Sequence, residues 1–482
     1  MSEQFQPTIV ASVPRQIFRA YDIRGKVAQL SHELVAQIGK ALATQFIRAD
    51  QRQVVIGYDA RLSSPEFADI IKAQLTASGL DVVQIGCVSS PLLYFTAKRF
   101  AGNGIMITAS HNPTSDNGFK WMCQHLPPTA EQIQNIANLI ELQDFQTLSH
   151  HGNVTTIDAK AEYFSYLKRD INLQFKHQVC IEGLHGSAGE IAQFALENLG
   201  CEVTALNCDA DGNFPNGAPD PSDVKRLATL QQAVLDSKSV MGFALDGDGD
   251  RLVVIDERGQ WISPDRLMCI LAKICLIDQR TPASAEIVFD VKCSTMIAQT
   301  VARYEGRSHM LRTGSSFLRH YIAAQSAVFG GEYAGHYVFN DGRGLGYDDG
   351  LYGALRLLEY LESTQHSLSE LLAEFPERIA SPDIYIDAGG IDRVQLFAHI
   401  EHYLNDLHHK DDHAMKLSCI DGIRLDFPYG FGLIRTSNTG EYFTVRIDAD
   451  DAEHFAKIKA FFVEMVHTIS PQFSQALQAI VA

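Results

Sequence analysis

The stretch that decides the fold is VVIGYDARLSSPEFADIIKAQLTASGLDVVQIG, residues Val54–Gly86. It consists of a β-branched run, a longer segment with helical periodicity and a second β-branched run. This alternation is typical of parallel strands joined by covering helices. The stretch therefore predicts an α/β architecture in the first part of the chain.

The same alternation continues through the next two parts of the chain. We expect strands at Val54–Tyr58, Val82–Gly86, Gly104–Thr108, Val179–Glu182, Val203–Asn207, Val240–Leu245, Ile287–Asp290, Met310–Thr313 and Val328–Gly331. We expect helices at Pro65–Ser78, Pro91–Phe100, Gly189–Leu199 and Ser222–Leu235. The strands fall into three blocks of about 100 residues each, which indicates an internal repeat.

The pattern changes after Thr364. Strands that alternate like half-buried antiparallel strands are expected at Asp383–Asp387, Ile423–Phe427 and Tyr442–Ile447, and an amphipathic helix at Ala452–Ile469. We therefore predict three consecutive similar α/β domains followed by a C-terminal α+β domain. The expected domains are residues 1–156, 157–258, 259–372 and 373–482.

The composition excludes several classes of protein. At 482 residues the chain exceeds the size of one hydrophobic core, and 46% hydrophobic with 20% charged residues is typical of globular chains. The formal charge of −18 disfavours broad nucleic-acid binding, which needs clustered Lys and Arg. The longest apolar stretch, Leu267–Ile277, contains Lys273 and has about half the length of a membrane span. We therefore expect neither a nucleic acid nor a membrane as a partner.

The cysteines and the first residues bear on the compartment. Nine cysteines without a C-x-x-C pair lie mostly in apolar segments, which is typical of reduced core thiols. Met1–Phe18 contains Glu3 and two prolines and lacks the basic and apolar regions of a secretory signal. We expect a cytoplasmic protein.

An acidic, glycine-containing segment lies between two apolar runs. Asp246, Asp248 and Asp250 alternate with glycines and are followed by Arg251. Carboxylates at this spacing can direct their oxygens at one hard cation such as Mg²⁺ or Mn²⁺. A solvated acidic turn and an EF-hand loop are the alternatives. Against the EF-hand, Arg251 stands where its glycine is required, and both flanks are predicted as strands.

A serine lies just beyond the end of an expected strand. The segment TASHNP, Thr108–Pro113, follows Gly104–Thr108, and catalytic groups of open α/β sheets gather outside the carboxyl ends of strands. Ser110 is therefore a candidate nucleophile, and Lys120 a candidate proton shuttle. Because the segment is not G-x-S-x-G and accompanies three carboxylates, it favours phosphoryl over acyl transfer. A plain turn and a solvated lysine are the alternatives.

Two further segments carry polar groups suited to a sugar phosphate. Glu332 and His336 in the segment GEYAGH suit hydrogen bonding to sugar hydroxyls and proton transfer, with a simple hairpin turn as the alternative. Arg435–Gly440, RTSNTG, can surround the oxygens of a phosphate, with a polar loop as the alternative. Gly342–Gly346 fits neither the dinucleotide nor the P-loop pattern, so we interpret it as a flexible turn.

Taken together and in this order, the four segments resemble the α-D-phosphohexomutase family, most closely its bacterial phosphomannomutase/phosphoglucomutase branch. The resemblance extends to Tyr21–Gly25, Asp211–Pro215 and Val291–Cys293, and so covers nearly the whole chain. It implies mixed sheets in the three α/β domains and an arrangement of the four domains around a central cleft. It also implies an enzyme that interconverts hexose 1-phosphates and 6-phosphates of mannose, glucose or both through a hexose 1,6-bisphosphate.

The resemblance further implies a role for each matching residue. Ser110 would carry a phosphate, and Mg²⁺ would be held by a phosphate oxygen with Asp246, Asp248 and Asp250, beside Arg251. Lys120 would exchange protons with the sugar hydroxyl, with His336 and Arg24 assisting, and Glu332 would bind the 3- and 4-hydroxyls. The residues that would hold the non-reacting phosphate are Arg435, Ser437, Asn438, Thr439, Tyr21, Lys292 and Arg343. Small-molecule sugar phosphates are thus the expected partners. The sequence leaves open whether the protein is a monomer or a dimer.

Departures from the family pattern leave two alternatives open. Ala334 replaces a frequent serine, which leaves the sugar preference undecided, and Ser315 replaces a frequent histidine, so that an auxiliary base or phosphate contact would be absent. A phosphoglucosamine mutase is one alternative, although that branch typically has Gln where this chain has Tyr333. A non-catalytic protein that binds Ca²⁺ or a sugar phosphate is the other, although Ser110, Lys120 and the three aspartates are all retained.

Overall fold

The computed structural model describes residues 13–387, 390–408, 415–436, 442–467 and 470–481. It divides into two units. The first contains the described residues up to Gly259 together with Tyr347–Leu355. The second contains Gln260–Gly346 and the described residues from Arg356 onward.

A mixed six-stranded sheet in the order β1-β5-β4-β2-β3-β6 opens the first unit. Its strands are β1 (Ile23–Lys26), β2 (Gln53–Tyr58), β3 (Asp81–Cys87), β4 (Gly104–Ile107), β5 (Asp116–Met122) and β6 (Val154–Thr156). Its helices are α1 (His32–Arg48), α2 (Ser64–Ala77), α3 (Ser90–Arg99) and α4 (Ala130–Leu142). The apolar faces of α1, α2 and α4 and the β-branched runs of the strands share one buried core, as their period predicts.

A second sheet, in the order β10-β9-β7-β8, completes the first unit. Its strands are β7 (Gln178–Glu182), β8 (Glu202–Leu206), β9 (Met241–Leu245) and β10 (Leu252–Asp256), with helices α5 (Lys160–Asp170), α6 (Gly189–Asn198) and α7 (Ala228–Ser237). The helix expected at Ser222–Leu235 was placed wrongly, because a 3₁₀ turn occupies Val224–Leu227 before α7 begins. Asp223 caps that turn by accepting a hydrogen bond from the Lys225 N–H, which competes with an earlier start of the α-helix.

The second unit begins with a sheet in the order β12-β11-β13-β14. Its strands are β11 (Glu286–Asp290), β12 (Arg307–Leu311), β13 (Phe329–Gly331) and β14 (Tyr337–Phe339). The helices in this part of the chain are α8 (Pro264–Ile277), α9 (Thr295–Arg303), α10 (Ser315–Gln325), α11 (Gly350–Thr364) and α12 (Leu368–Leu372). The strand expected at Met310–Thr313 was placed too late. The true strand, β12, is an edge strand whose first residues, Arg307 and Ser308, are exposed and interrupt the apolar pattern.

The C-terminal part of the second unit is an antiparallel sheet with helices packed against it. Its strands are β15 (Ile379–Ala380), β16 (Ile384–Asp387), β17 (Lys416–Ser418), β18 (Ile423–Phe427), β19 (Gly430–Thr436) and β20 (Tyr442–Ala449). Its helices are α13 (Arg393–His408), α14 (Ala452–His467) and α15 (Pro471–Gln478). The helix expected to end at Ile469 is described as far as His467, and Ile469 itself lies outside the described residues. The predicted architecture of three similar α/β domains with mixed sheets and a C-terminal α+β domain is confirmed.

Three of the four sheets repeat one strand pattern. In each, a central strand has a parallel neighbour on both sides, and one of these neighbours pairs with an antiparallel fourth strand. The three antiparallel pairs are β4 with β5, β9 with β10, and β13 with β14. The connections inside these pairs contain Ser110, the three aspartates and Glu332 respectively. The chemistry-bearing segments therefore occupy equivalent positions in the repeat.

Two further features concern the protein's surroundings. All nine cysteines are free thiols, and six of them are buried, in line with the expected reduced core thiols. Among the described residues, no helix combines the length and the apolar character needed to cross a membrane.

Candidate active site

Ser110 lies in the connection that follows β4. Its side chain is buried, and its backbone φ of 52° is in the left-handed region, which is uncommon for a residue with a Cβ. Its hydroxyl donates a hydrogen bond of 2.6 Å to Asp246 Oδ2. Its backbone N–H donates to Thr108 Oγ1 at 2.8 Å. The candidate nucleophile is thus held in one orientation, with its oxygen against the acidic segment.

The acidic segment is a tight connection between the antiparallel strands β9 and β10, in which Leu245 pairs with Leu252. Because strands flank it on both sides, the helix–loop–helix arrangement of an EF-hand is absent from this described part of the chain. A Cβ at Gly247 would lie 2.5 Å from the Ser110 carbonyl oxygen. The glycine therefore permits the close approach of the two loops.

The three aspartates form a buried acidic group. Oxygens of Asp246, Asp248 and Asp250 lie within 4.8 Å of one another, which is compatible with one shared cation. Asp248 Oδ1 is buried and has no hydrogen-bond donor among the described residues. Burial and the neighbouring carboxylates of Asp250 and Asp248 raise the pKa of Asp246 well above its ordinary value. Hard oxygen ligands that lie close together and one unsatisfied buried oxygen fit a divalent cation, so these three residues could hold one.

Lys120 lies on β5 and points at the same acidic group. Its Nζ is 2.7 Å from Asp248 Oδ2 and 2.6 Å from Asp250 Oδ2. Burial alone would lower the pKa of Lys120, but the two carboxylates raise it well above the ordinary value. The solvated lysine that the sequence left open is therefore wrong, since this ammonium group is enclosed and paired.

The segment Tyr21–Gly25 brings a second cation to the Ser110 loop. Arg24 is buried; its guanidinium pairs with Asp22, and one of its Nη atoms donates to the Ala109 carbonyl at 3.2 Å and to Asn112 Oδ1 at 3.0 Å. Burial acts to lower the pKa of Arg24, yet Asp22 and then Tyr21 raise it above its ordinary value. The sequence-predicted Tyr21 is thus an electrostatic neighbour of Arg24.

Arg251 follows the aspartates directly. Its backbone N–H donates to Asp246 Oδ1 at 3.2 Å. Burial opposes its charge, but the carboxylates of Asp246, Asp220 and Asp250 raise the pKa of Arg251. The first unit therefore contains one cluster of polar and charged site residues. Its members are Ser110, Lys120, Arg24, Arg251, Tyr21 and the three aspartates.

The second unit holds the predicted sugar-binding pair. Glu332 and His336 lie in the connection between β13 and β14, where the Glu332 N–H donates to the His336 carbonyl at 2.9 Å. Gly314 N–H donates to Glu332 Oε1 at 2.5 Å. Burial raises the pKa of Glu332, while His336 acts in the opposite direction. The carboxylate is oriented by the backbone at the start of α10.

Three predicted phosphate-binding cations also lie in the second unit, each beside a carboxylate. Lys292 Nζ is 2.7 Å from Asp383 Oδ2, and Arg343 makes a two-point contact with Glu359. Arg435, on β19, donates from Nε to Asp421 Oδ2 at 2.9 Å. Its Nη2 is buried and has no acceptor among the described residues. The other three predicted residues of that segment, Ser437, Asn438 and Thr439, lie outside the described residues.

Three residues of the site were missed from the sequence. Ser90, at the start of α3, donates from Oγ to Asp248 Oδ2 at 2.6 Å. Asp59 accepts a hydrogen bond of 2.7 Å from Thr108 Oγ1, and Arg61 donates to the Ser110 carbonyl at 2.7 Å. Asp59 and Arg61 follow the C-terminal end of β2, so the rule that pointed to Ser110 could also have found them.

Solved structures share this architecture over nearly the whole chain. A phosphoglucomutase/phosphomannomutase family protein from Burkholderia thailandensis is 32% identical, with a TM-score of 0.88 over 95% of this chain and 99% of that one. A putative phosphomannomutase from Thermus thermophilus, 20% identical, has a TM-score of 0.77 and shares the fold, covering 93% of this chain and 98% of its own. The fold and the site thus define a protein of the phosphohexomutase class.

Family models and curated relatives agree with this class. The models for α/β/α domains I, II and III of phosphoglucomutase/phosphomannomutase match residues 15–147, 161–259 and 263–379. A phosphomannomutase/phosphoglucomutase of Pseudomonas putida is 37% identical over 96% of this chain and 98% of its own length. A phosphoglucomutase of Neisseria meningitidis is 36% identical over 95% of this chain and 98% of its own. The chain belongs to the phosphoglucomutase/phosphomannomutase family.

Proposed function

We propose that this protein is a phosphohexomutase that interconverts the 1-phosphate and the 6-phosphate of mannose, glucose or both. The observation that carries the proposal is the hydrogen bond from Ser110 Oγ to Asp246, inside a buried group of three carboxylates that also holds the Lys120 ammonium. A serine in this setting suits phosphoryl transfer, which needs fixed oxygens and neutralised charge rather than a strong base.

The proposed cycle begins with a phosphate on Ser110. A sugar hydroxyl attacks the phosphorus; the bond from phosphorus to the serine oxygen breaks, and a new bond to the sugar oxygen forms. We propose that the Lys120 ammonium gives a proton to the departing serine oxygen and takes up the proton of the sugar hydroxyl, with Arg24 and His336 assisting, so that the charge of Lys120 is the same before and after the step. The resulting 1,6-bisphosphate turns around and returns its other phosphate to Ser110, so the phosphate count of the enzyme is unchanged.

The charges around Ser110 suit this transfer. Arg24, which is buried, and Arg251, which is partly buried, are cations of the same unit, and each can stabilise the oxygens of a transferring phosphoryl group. We propose Mg²⁺ as the cation of Asp246, Asp248 and Asp250, where it would neutralise charge on that group. When Ser110 carries no phosphate, its hydrogen bond of 2.6 Å to Asp246 holds the serine oxygen in position beside the carboxylates, ready to take up the phosphate again.

The second unit is proposed to supply substrate recognition. Glu332, oriented by Gly314 N–H, has the acceptor oxygens needed for vicinal sugar hydroxyls. Arg435 offers a buried Nη2 toward a phosphate, and we assign Lys292, Arg343, Tyr21, Ser437, Asn438 and Thr439 to the same task. Lys292 and Arg343 would have to share or exchange their carboxylate partners, Asp383 and Glu359, with the substrate. We further propose four domains, residues 1–156, 157–258, 259–372 and 373–482. They carry the serine segment, the acidic segment, the sugar-binding segment and the phosphate-binding segment respectively.

A second substrate class is the amino sugar phosphate. A probable phosphoglucosamine mutase of Methanobrevibacter smithii is 31% identical over 94% of this chain and 98% of its own length, against 37% for the Pseudomonas putida relative. The higher identity to the phosphomannomutase/phosphoglucomutase favours phosphates of neutral hexoses as substrates. The nine free thiols, six of them buried, support a reducing compartment, for which we propose the cytoplasm.

The decisive test compares substrates side by side. The purified protein is assayed with the 1-phosphates of mannose, glucose and glucosamine, each primed with a hexose 1,6-bisphosphate, in the presence of Mg²⁺. We expect kcat/KM to be highest for mannose or glucose, and intact mass to show one phosphate on Ser110. Preference for the glucosamine substrate would replace the proposed substrate class. Absence of turnover with all three substrates would refute the proposed function.

A further inference from the structure

Arg61 is a buried arginine whose guanidinium has an acceptor for every one of its N–H groups. The side chain is 1% exposed. Nε donates to Asp59 Oδ2 at 3.0 Å. The two terminal nitrogens donate to four backbone carbonyls, those of Ser110 and Asn112 at 2.7 Å each, Pro113 at 2.6 Å and Asp116 at 3.0 Å. Since a guanidinium has five N–H donors, none is left over.

Three of these carbonyls belong to the connection that carries Ser110, and the fourth, that of Asp116, belongs to the first residue of β5. The four are spread over seven residues, and they converge on one planar group. Such convergence fixes the direction of several peptide planes at once, including the one on the C-terminal side of Ser110. A left-handed conformation at a residue with a Cβ costs about 1 kcal/mol or more, so it persists only where the surroundings impose it. Arg61 holds the carbonyl of Ser110 in this conformation through a hydrogen bond of 2.7 Å.

Asp59 completes the same support from the other side of the loop. It accepts hydrogen bonds from the Arg61 N–H and Nε, from Ser64 Oγ at 2.6 Å and from Thr108 Oγ1 at 2.7 Å. Thr108 Oγ1 in turn accepts from the Ser110 N–H. The N–H and the carbonyl of Ser110 are therefore both tied to the pair formed by Asp59 and Arg61.

The segment Asp211–Pro215 covers this pair. The Phe214 ring is buried, and its centroid lies 5.2 Å from the Arg61 guanidinium carbon. A Cβ at Gly212 would lie 2.3 Å from the Ala60 carbonyl oxygen and 2.7 Å from the Leu62 nitrogen, so only glycine allows the two backbones to meet. Asp211 Oδ1 accepts from the Asn213 N–H at 2.9 Å and holds the turn that presents the ring. This segment has no role in the proposed reaction.

We propose that Arg61, covered by Phe214, is a positioning residue that fixes the backbone of Ser110 so that its oxygen faces Asp246. The proposal rests on the proposed function for its catalytic consequence. The geometric part stands on the contacts of Arg61 alone. In this proposal the segment Asp211–Pro215 keeps water away from the Arg61 guanidinium. The exclusion of water strengthens the hydrogen bonds from Arg61 to the loop.

The test uses Arg61→Lys in the full-length protein, because lysine keeps the positive charge opposite Asp59 and lacks the planar fork. We expect kcat to fall about 100-fold with little change in KM, the effect typical of misplacing a reacting group. Hydrogen exchange should accelerate at the amides of Ser110, Asn112 and Asp116, whose acceptors lie within the loop region. Arg226→Lys is the matched control, since its guanidinium contacts the Asn216 carbonyl.

Several results would overturn the proposal. If Arg61→Lys keeps both kcat and the slow exchange of the loop, Arg61 is only a counter-charge for Asp59. If exchange rises throughout the first sheet, Arg61 is a general structural residue. Should Arg61→Lys fail to fold, Phe214→Leu decides, with a smaller loss of kcat and faster exchange confined to the loop as the supporting result and an unchanged loop as the contradicting one. A wild-type protein without mutase turnover would refute the proposed function, and the exchange pattern would still test the positioning of Ser110.

Discussion

The hydroxyl of Ser110 and the carboxylate of Asp246 are joined by a hydrogen bond of 2.6 Å, although 136 residues separate them in the chain. The contact brings the proposed nucleophile from the first sheet to the acidic connection of the second. Because both side chains are buried, the hydrogen bond is poorly screened by water. Changes to either side chain should therefore alter turnover or stability by a measurable amount.

Removing the Ser110 hydroxyl should abolish turnover without unfolding the protein. We expect Ser110→Ala to lower kcat by about 10⁴-fold or more, as loss of a covalent nucleophile does. Steady-state assays and intact mass provide the measurement, and the added phosphate should disappear from the variant. Ser115→Ala, in the same connection, is the matched control and should stay close to wild type. A Ser110→Ala variant with near-normal turnover would refute the nucleophile assignment.

A divalent cation should stabilise the protein through the three aspartates. Mg²⁺ at 100 times its dissociation constant should add about 3 kcal/mol to the free energy of unfolding. Asp248→Asn should lose most of this gain, because Asp248 contributes the buried oxygen that lacks a donor among the described residues. Thermal unfolding with and without Mg²⁺ measures the difference, and the exposed Asp236→Asn is the control. Equal stabilisation of Asp248→Asn and wild type would place the cation elsewhere.

Turnover should be lost on chelation and restored by Mg²⁺; restoration by Ca²⁺ alone would contradict the assignment of Mg²⁺.

Asp349 should make the stability of the first unit depend on pH. It accepts a 2.6 Å hydrogen bond from the Tyr163 hydroxyl, and burial raises its pKa to about 6. An acid whose pKa is higher in the folded than in the unfolded state binds its proton more tightly when folded. Its contribution to stability is therefore lost as the pH rises from about 4 to about 6, by about 3 kcal/mol in total.

Asp349→Asn should remove that part of the pH dependence. Denaturant unfolding at several pH values measures it, and the wild type should lose more stability than the variant between about pH 4 and pH 7. Tyr163→Phe removes a hydrogen bond that favours the ionised carboxylate, so it should enlarge the loss. Parallel pH profiles for Asp349→Asn and wild type would show that Asp349 does not titrate in this range.

Arg435 should govern the affinity for the substrate phosphate. Arg435→Lys keeps the charge but loses the second terminal nitrogen, so we expect KM to rise about 10- to 100-fold, the equivalent of one charge-assisted hydrogen bond. The effect on kcat should be smaller. Steady-state kinetics give both values, with the exposed Arg303→Lys as the control. An unchanged KM would remove Arg435 from the proposed phosphate site.

Much of the fold could be predicted because the apolar periods are strong. The strand at Ile423–Phe427 was predicted with its true bounds, and Val54–Tyr58 differs by one residue. β5 was missed because Asn117, Gly118 and Lys120 interrupt its apolar alternation, although most of the strand is buried. β12, the edge strand of the third sheet, was misplaced for a similar reason, since its exposed first residues carry no apolar signal.

The candidate site was predictable in its residues but not in its pairings. Local spacing indicated that the aspartates could share a cation, and the structure places their oxygens together. The partners that orient the site are distant in sequence, as Ser90 is from Asp248 and Asp59 is from Thr108. Arg61 gives no sign in the sequence of the four carbonyls it contacts, because backbone acceptors leave no pattern in residue type.

The same strand connection occurs in three sheets and holds a serine, a group of acids and a glutamate with a histidine in turn. The flanking strands keep the same pairing whichever side chains the connection carries. The backbone frame is therefore independent of the chemistry that it presents. A substitution in one connection can alter one chemical task while the β-sheet around it stays unchanged.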